Sequence, residues 1–480
     1  VLVALAVAAG LSAGAWAADA AKPAATAPAA DAKPAADATA EAKPAAAPAA
    51  DCDRQGMAGV DKWMAEAAKP VPWLSWGTDL RLRTIYQANN IVTSKDAANN
   101  ERHWQRYRWR IWSTVTPPFA KDVDFNFRIV YEPRYFHKPD NTEWAQDDII
   151  FDALNLKFRN IGGSGLTFTA GRQDIILGNG WLVLDGTPLD GSRTIYFDAF
   201  RFTYDAKPVN TQFDLIYLDT DGSGDHWFEP LRDQNTNIAE QDERGLIFYA
   251  QNKSIKNVQI DGYYMYKRDM QETFNRPAHL HTFGSRAAAN LTDHWQARAE
   301  FALQYGQRMN ADVRAGAFNS RLAYQFKDKM ASELRAGYEF LSGDDPGTDE
   351  YEAFDLLWGR WPQWSELYIY TVATERGRPA DVSNLHRLGF GHTFKPCEPI
   401  EVCTDYHLLF ANENAATANR VLFSDGGYFR GQLLTSVMRY KFNKHVSGHV
   451  IGEFFFPGNF YENAANDPAV FLRYELTFTW

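Results

Sequence analysis

The stretch from Val470 to Trp480 constrains the fold more than any other part of this chain. Val470, Leu472, Tyr474, Leu476, Phe478 and Trp480 share one face of an extended strand, and Arg473, Glu475, Thr477 and Thr479 share the other. Strand side chains alternate with a period of two, so one face is apolar and ends on an aromatic. A soluble domain that left such a face bare would invite edge-to-edge association. A lipid-facing barrel strand requires it, with apolar groups outward, polar groups toward the lumen and an aromatic at the interface. The competing reading at this point is an edge strand of a soluble sandwich.

The chain has 480 residues, room for two or three soluble domains or one large barrel. Aromatics reach 14%, with 15 Trp, 22 Tyr and 32 Phe, which suits a barrel with two aromatic girdles. Mean hydropathy is −0.42, and beyond the N-terminal segment no apolar run approaches the ~20 residues of a spanning helix. Residues 1–17 read as a signal peptide, an apolar run ending in Ala15-Trp16-Ala17. Residues 18–50, almost wholly Ala, Pro, Lys, Asp and Thr, cannot bury a core and read as a disordered periplasmic linker in reach of the cell wall. Residues 51–75 read as a periplasmic segment with room for a short helix. Three cysteines exclude a disulfide-dense scaffold. Cys397 and Cys403 flank a Pro-containing turn, and the sequence leaves open whether they are bridged.

Alternating segments recur from residue 76 to 480. They lie near 76–86, 105–115, 122–132, 151–160, 165–173, 195–205, 210–219, 243–252 and 256–268, then 279–291, 294–306, 314–326, 330–342, 383–395, 400–411, 429–442, 445–457 and 469–480. Each approximates the ~9–11 residues of a tilted spanning strand. A further candidate, Leu367 to Thr374, is excluded by turn parity. With both termini periplasmic, even-to-odd connections are short and odd-to-even ones are outer loops. A spanning strand at 367–374 would invert that order for everything after it, so this segment belongs to an outer loop, 343–382. The predicted fold is all-β, a transmembrane antiparallel barrel of about eighteen strands over residues 76–480.

Lipid-facing Arg or Lys near the midplane costs about 2–4 kcal/mol, so strand charges should face the lumen. This makes Arg81, Arg83, Arg106, Arg108, Arg110, Arg128 and Arg134 the candidate pore lining, partly offset by Asp79, Asp124 and Glu132. Lys157, Arg159, Arg201, Arg298 and Arg335 follow, countered by Glu300, Glu333 and Glu339. In a chain of net charge −11, an Arg-lined sector implies a locally positive channel that attracts anions. The alternative is that these arginines pair with neighbouring acids and fill the lumen.

The segment Ala170 to Tyr204 carries Gly171-Arg172-Gln173 at the end of one strand, then Gly178, an outer loop, and Phe197-Asp198 at the start of the returning strand. This pattern resembles the alginate-export family of outer-membrane proteins, and the layout agrees over residues 76–480. The resemblance implies an eighteen-stranded barrel whose Arg-rich pore passes an anionic uronate polysaccharide. The alginate exporter plugs its pore with a long periplasmic loop, whereas every periplasmic turn here is short. Gating then falls to outer loops 133–150, 174–194, 220–242 and 343–382, or to 51–75. Arg172 is the candidate lumen or mouth residue of this segment, although it shares a strand face with Leu166, Phe168 and Ala170. A bulge near Gly171 would reconcile the two; the alternative is a loop anchor. The terminal strand also resembles the signature by which barrel-assembly machinery recognises its clients.

Asp219, Asp221, Ser223 and Asp225 alternate like the start of a calcium loop, but Pro230 stands where the closing Glu belongs. These acids alternatively bridge to lipopolysaccharide through divalent ions; no other cofactor is expected. His279 and His281 share one strand face and read as lumen filling. No hydrolase elbow, zinc motif or Walker loop is present, so no enzyme activity is expected. The expected partners are outer-membrane lipid, lipopolysaccharide, the assembly machinery and a polysaccharide solute, with no nucleic acid. The reading is an outer-membrane channel for polar, anionic poly- or oligosaccharide. A general or small-solute uptake porin is the alternative, and a hydrolase or adhesive barrel comes third.

Overall fold

The computed structural model describes residues 58–139, 144–145, 148–185, 196–222, 228–231, 242–270, 277–359, 362–377 and 382–480. The expected signal peptide, the linker and residues 51–57 lie outside the described residues, as do Ser223 and Asp225. The strands are β1 Leu74–Ala88, β2 Glu101–Val115, β3 Val123–Tyr131, β4 Ile149–Ile161, β5 Leu166–Gln173, β6 Phe197–Ala206, β7 Thr211–Thr220, β8 Glu243–Asn252 and β9 Val258–Asp269. They continue as β10 Ala278–Asn290, β11 Trp295–Arg308, β12 Ala311–Gln325, β13 Glu333–Leu341, β14 Leu385–Cys397, β15 Ile400–Phe410, β16 Phe429–Lys441, β17 Val446–Pro457 and β18 Ala469–Thr479. These eighteen antiparallel strands form one closed barrel. The closing ladder pairs β1 with β18 from Asp79↔Thr479 to Ala88↔Val470, which leaves no open edge in the wall.

Alternation decides the facing of each strand. In β1, Asp79, Arg81 and Arg83 are buried inward while Leu80 is exposed outward. In β18, Leu472, Tyr474 and Phe478 are exposed and Phe471, Arg473 and Glu475 are buried. At the rim read as periplasmic no connection exceeds seven residues. Asn160, Asn210 and Asn257 turn the chain there in the left-handed conformation that Asn tolerates. Helix α1, Ala58–Ala68, lies against this rim. Its Trp63 ring sits 4.9 Å from that of Trp480, and Asp61 accepts from His445 Nε2 at 2.9 Å.

Three expectations need correction, and one open point is answered. Residues 133–150 are not all loop, because Arg134–Lys138 continues β3 and pairs with β2. The outer connection from β11 to β12 is only Met309-Asn310, since both strands run on beyond the predicted ends. His279 and His281 face outward, hydrogen-bonded to Tyr266 and Tyr264, while Leu280 and Thr282 are the buried inward residues. Cys397 and Cys403 are free thiols, set opposite Ile400 and Thr393 respectively.

The lumen is not hollow. Outer loops fold into it and supply much of the apolar core, including Trp181, Leu182, Phe354, Trp358, Phe423 and Phe460. The described parts of segment 342–384, between β13 and β14, lie in the lumen and touch β2, β11, β17 and β18. Residues 367–374 lie within it, and Glu366–Tyr370 forms the short helix α2. Tyr370 packs 5.6 Å from Trp104 on β2 and 5.8 Å from Phe471 on β18.

Candidate functional site: a partitioned lumen

Segment 342–384 is tied to the wall by polar contacts. Ser365 Oγ donates to Glu453 on β17 at 2.6 Å, and Glu366 pairs with Arg473 on β18 at 3.0 Å. Arg308 on β11 holds Asp355 at 2.5 Å. Burial alone would raise the Asp355 carboxyl, but Lys267, Arg308 and Arg376 hold it well below the usual carboxylate range. The segment thus roofs the barrel through pairs with strands on several sides.

Below this roof the wall divides by charge. Across β1 and β2, Arg81 stands opposite Arg108 and Arg83 opposite Arg106, while Asp79 stands opposite Arg110. Like charges in register repel, so this ladder depends on intervening carboxylates. Glu132 accepts from Arg81 Nη2 at 2.7 Å and from Arg106 Nε at 3.1 Å. Glu475 accepts from Arg83 Nε at 2.6 Å and lies 3.7 Å from Arg81 Nε. Asp79 accepts from Arg110 Nε at 3.0 Å and Arg108 Nη2 at 3.2 Å. Five arginines therefore share three carboxylates, a formal 5 − 3 = +2 for these residues. Arg134 is buried beside them on the continuation of β3.

Arg128 donates to Asp152 at 2.8 Å and to Asp174 at 3.0 Å. Arg159 pairs with Asp124 at 3.0 Å and Arg201 with Asp214 at 2.8 Å. Together with Lys157, these three arginines line a cavity of about 690 Å³ between β2 and β6 whose lining includes a single acid, Asp174. Lys157 has no ion-pair partner among the described residues. A larger cavity, about 1070 Å³, runs along β10 to β17 beneath the roof and is lined by eight Lys or Arg and eight Asp or Glu. Arg128, Arg159 and Arg201 hold Asp152, Asp174, Asp124 and Asp214 between them, so with Lys157 the four cations of the smaller cavity meet four acids, and the formal surplus among these described residues lies in the β1–β2 ladder.

Arg172 lies within the wall. Its Nε and Nη2 hold Asp198 on β6 at 2.9 and 3.0 Å, and Nη1 donates to the Phe151 carbonyl on β4 at 2.8 Å. The guanidinium lies 3.8 Å from the centre of the Tyr196 ring. Both ladders run through Gly171 and Arg172 without a register shift, so Arg172 ties β4 to β6 from within β5 with no bulge there. Of the proposed calcium ligands, Asp219 is held by Arg244 at 3.1 Å, and Ser223 and Asp225 lie outside the described residues.

Sequence reasoning passed over Arg286, Arg387, Arg430 and Lys267, which face inward and hold the loops. Strand parity places Arg286 on the same face as Leu280 and Thr282, so the signal was available. What masked it is that Ala278 and Leu280, at the outer end of the same face, are apolar.

A family profile described as alginate export matches residues 72–472. The chain belongs to the alginate-export family. Among solved structures this alginate-export barrel is similar to Pseudomonas aeruginosa OpdQ, with a TM-score of 0.56 and 10% identity over 85% of this chain and 99% of that one. It is also similar to Pseudomonas aeruginosa OpdO, with a TM-score of 0.55 and 11% identity over 85% of this chain and 98% of that one. A third similar structure is Pseudomonas aeruginosa OpdK with vanillate, with a TM-score of 0.52 and 10% identity over 84% of this chain and 99% of that one. At such identities the likeness shows the fold alone. Among curated proteins, none matches the chain in sequence. Family and fold are those of transport channels.

Proposed function

We propose that this barrel sits in the outer membrane and passes polar, anionic saccharide by facilitated diffusion, with the β1–β6 sector as the anion path. The observation that carries this reading is the cation surplus of that sector in a chain of net charge −11. Four cations and one acid line its cavity, and five arginines share three carboxylates in the adjoining ladder. Guanidinium groups suit carboxylates through paired hydrogen bonds, and membership of the alginate-export family supports uronate as the chemistry presented. The solute meets the cavity wall as a series of weak sites, since Arg128, Arg159 and Arg201 each already hold a resident aspartate, while the buried ladder behind them supplies field rather than contact. Outer-membrane lipid, lipopolysaccharide and the assembly machinery are the partners this reading requires, with residues 18–75 on the periplasmic side.

The roof favours a second reading, a small-solute uptake porin. Segment 342–384 bridges opposite walls, so a polymer passes only if that segment moves, whereas a small carboxylated solute needs only the cavities. Planar-bilayer reversal potentials in a salt gradient test the shared core of both readings. The expected result is anion preference, reduced in Lys157→Glu; cation preference in the wild type overturns it. Block by a uronate polymer favours the first reading, and block by monomers alone favours the second.

A further inference from the structure

The lining of the larger cavity carries two neutral side-chain donors that find no acceptor among the described residues. His407, on β15, is buried, and its Nε2 has no partner. Its Nδ1 lies 3.4 Å from Arg387 Nη1 on β14. A guanidinium only donates, so Nδ1 is the acceptor and the ring proton sits on Nε2. Gly389, opposite His407 in the ladder, makes room for this ring: a Cβ there would lie 2.8 Å from Nδ1. The second donor is Asn179 Nδ2, in the turn after β5, also buried without a partner. Asn179 Oδ1 accepts from Arg286, which fixes the amide with its NH2 group turned away from that arginine. A buried unmade donor costs about as much as a lost hydrogen bond, and two in one cavity are seldom retained without use.

The two donors belong to one continuous surface. Gln363 Nε2 donates to the carbonyls of Asn179 and Gly180 at 3.1 and 2.8 Å, which fastens the turn to segment 342–384. The next residue, Trp364, stands 5.6 Å from the His407 ring and 5.0 Å from the Arg387 guanidinium. Arg387 is held in turn by Glu339 at 2.9 Å. Asn179, Glu339, Gln363, Trp364, Arg387 and His407 line the same cavity.

We propose that Asn179, Trp364 and His407, with Arg387 behind them, form a solute-binding subsite for a ring that offers acceptor oxygens, namely a sugar or sugar-acid unit. The two N–H donors take ring oxygens, the indole supplies an apolar wall, and Arg387 draws a carboxylate toward the pair. The proposal rests on the channel reading above and adds to it a second solute contact, in the larger cavity along β10 to β17 rather than in the β1–β6 sector.

The test is single-channel recording in planar bilayers with a defined uronate trimer and its neutral counterpart. The subsite predicts discrete blocks by the uronate trimer. His407→Phe should shorten the blocked time about tenfold, in keeping with loss of one buried hydrogen bond, and His407→Gln, which retains a donor, should restore most of it. Asn179→Asp lies in a turn outside the strands, keeps the Arg286 bond and removes the donor; it should likewise shorten the blocked time. Unchanged blocked times in His407→Phe and Asn179→Asp overturn the subsite. So does an absence of block in the wild type, while reversal potentials from the same bilayers judge the channel reading separately.

Discussion

Replacing Glu132 by Gln should weaken the barrel and sharpen its anion preference at once. Glu132 and its two partners are sealed from solvent, with side-chain exposures of 1% for Glu132, 1% for Arg81 and 0% for Arg106. That places the site among buried ion pairs, where loss of one partner costs about 3–5 kcal/mol because the other charge stays behind. Gln keeps an acceptor oxygen, so about 3 kcal/mol is the expected loss. The same change takes the ladder's formal charge from 5 − 3 = +2 to 5 − 2 = +3. One unit charge about 10 Å from a passing anion is worth about 1.7 kcal/mol at an effective dielectric near 20. Screening over one Debye length leaves roughly 0.6 kcal/mol, about a threefold gain in anion permeability. Urea unfolding followed by gel mobility measures the first effect, and reversal potential in a potassium chloride gradient the second. A stability loss below about 0.5 kcal/mol would show that the carboxylate is not sealed in. Lost stability with an unchanged reversal potential would mean that the ladder fills the wall without setting the field, and the electrostatic basis of the proposed function would fall.

Other outcomes follow from single positions. Gly171→Ala should cost about 1–3 kcal/mol, because φ is +115° and the added Cβ would meet the Leu154 carbonyl oxygen at 2.4 Å; urea unfolding checks it, and wild-type stability would contradict the strain. Arg172→Gln should destabilise the barrel while leaving reversal potential unchanged, since Arg172 holds β4 to β6 within the wall; a shift in selectivity would return it to the pore. In a chain with Cys52 and Cys397 replaced by Ser, an anionic thiol reagent should label Cys403, which lines the larger cavity beside Arg335 at 2.8 Å, and uronate trimer should slow it by mass-spectrometric assay. Burial would raise the Asp61 carboxyl, but His445 and Lys444 hold it below its ordinary 3.8. Docking of α1 through Asp61 should therefore persist above that value and loosen only as pH falls below it; a nitroxide at position 62 would report the change.

The eighteen strands were legible because lipid imposes one rule on every outward position, and short turns fix parity independently of composition. Legibility failed where the lumen stops being wet. Leu280, Ile216, Ile247 and Phe471 face inward against apolar loop residues, so near the roof both faces of a strand are apolar and alternation loses its sign. That is why His279 and His281 are assigned to the wrong face by pattern alone. The roof itself carries no periodic signal. Trp181, Phe354 and Trp358 are buried by contact between distant loops, which no local spacing records. The arginines of β1 and β2 were legible together with Asp79 and Glu132 as their counter-charges, whereas the register that sets Arg83 against Glu475 exists only once β1 closes on β18.

The two expectations set against each other for the arginines, a positive channel or ion pairs that fill the lumen, are not exclusive. An unpaired row of arginines would hold a polyanion too tightly to release it, and conduction needs sites that are strong enough to enter and weak enough to leave. A row in which five buried arginines are tied to three carboxylates keeps a positive field in the wall while offering the solute no direct bond to these guanidiniums. The resident acids also allow Arg81 to face Arg108, and Arg83 to face Arg106, across one ladder. Without them the closing seam beside β18 would be the weakest part of the wall. Stability and release thus require the same residues, and Glu132 and Glu475 set both. For that reason, in variants of these two acids, stability and solute residence should move in opposite directions.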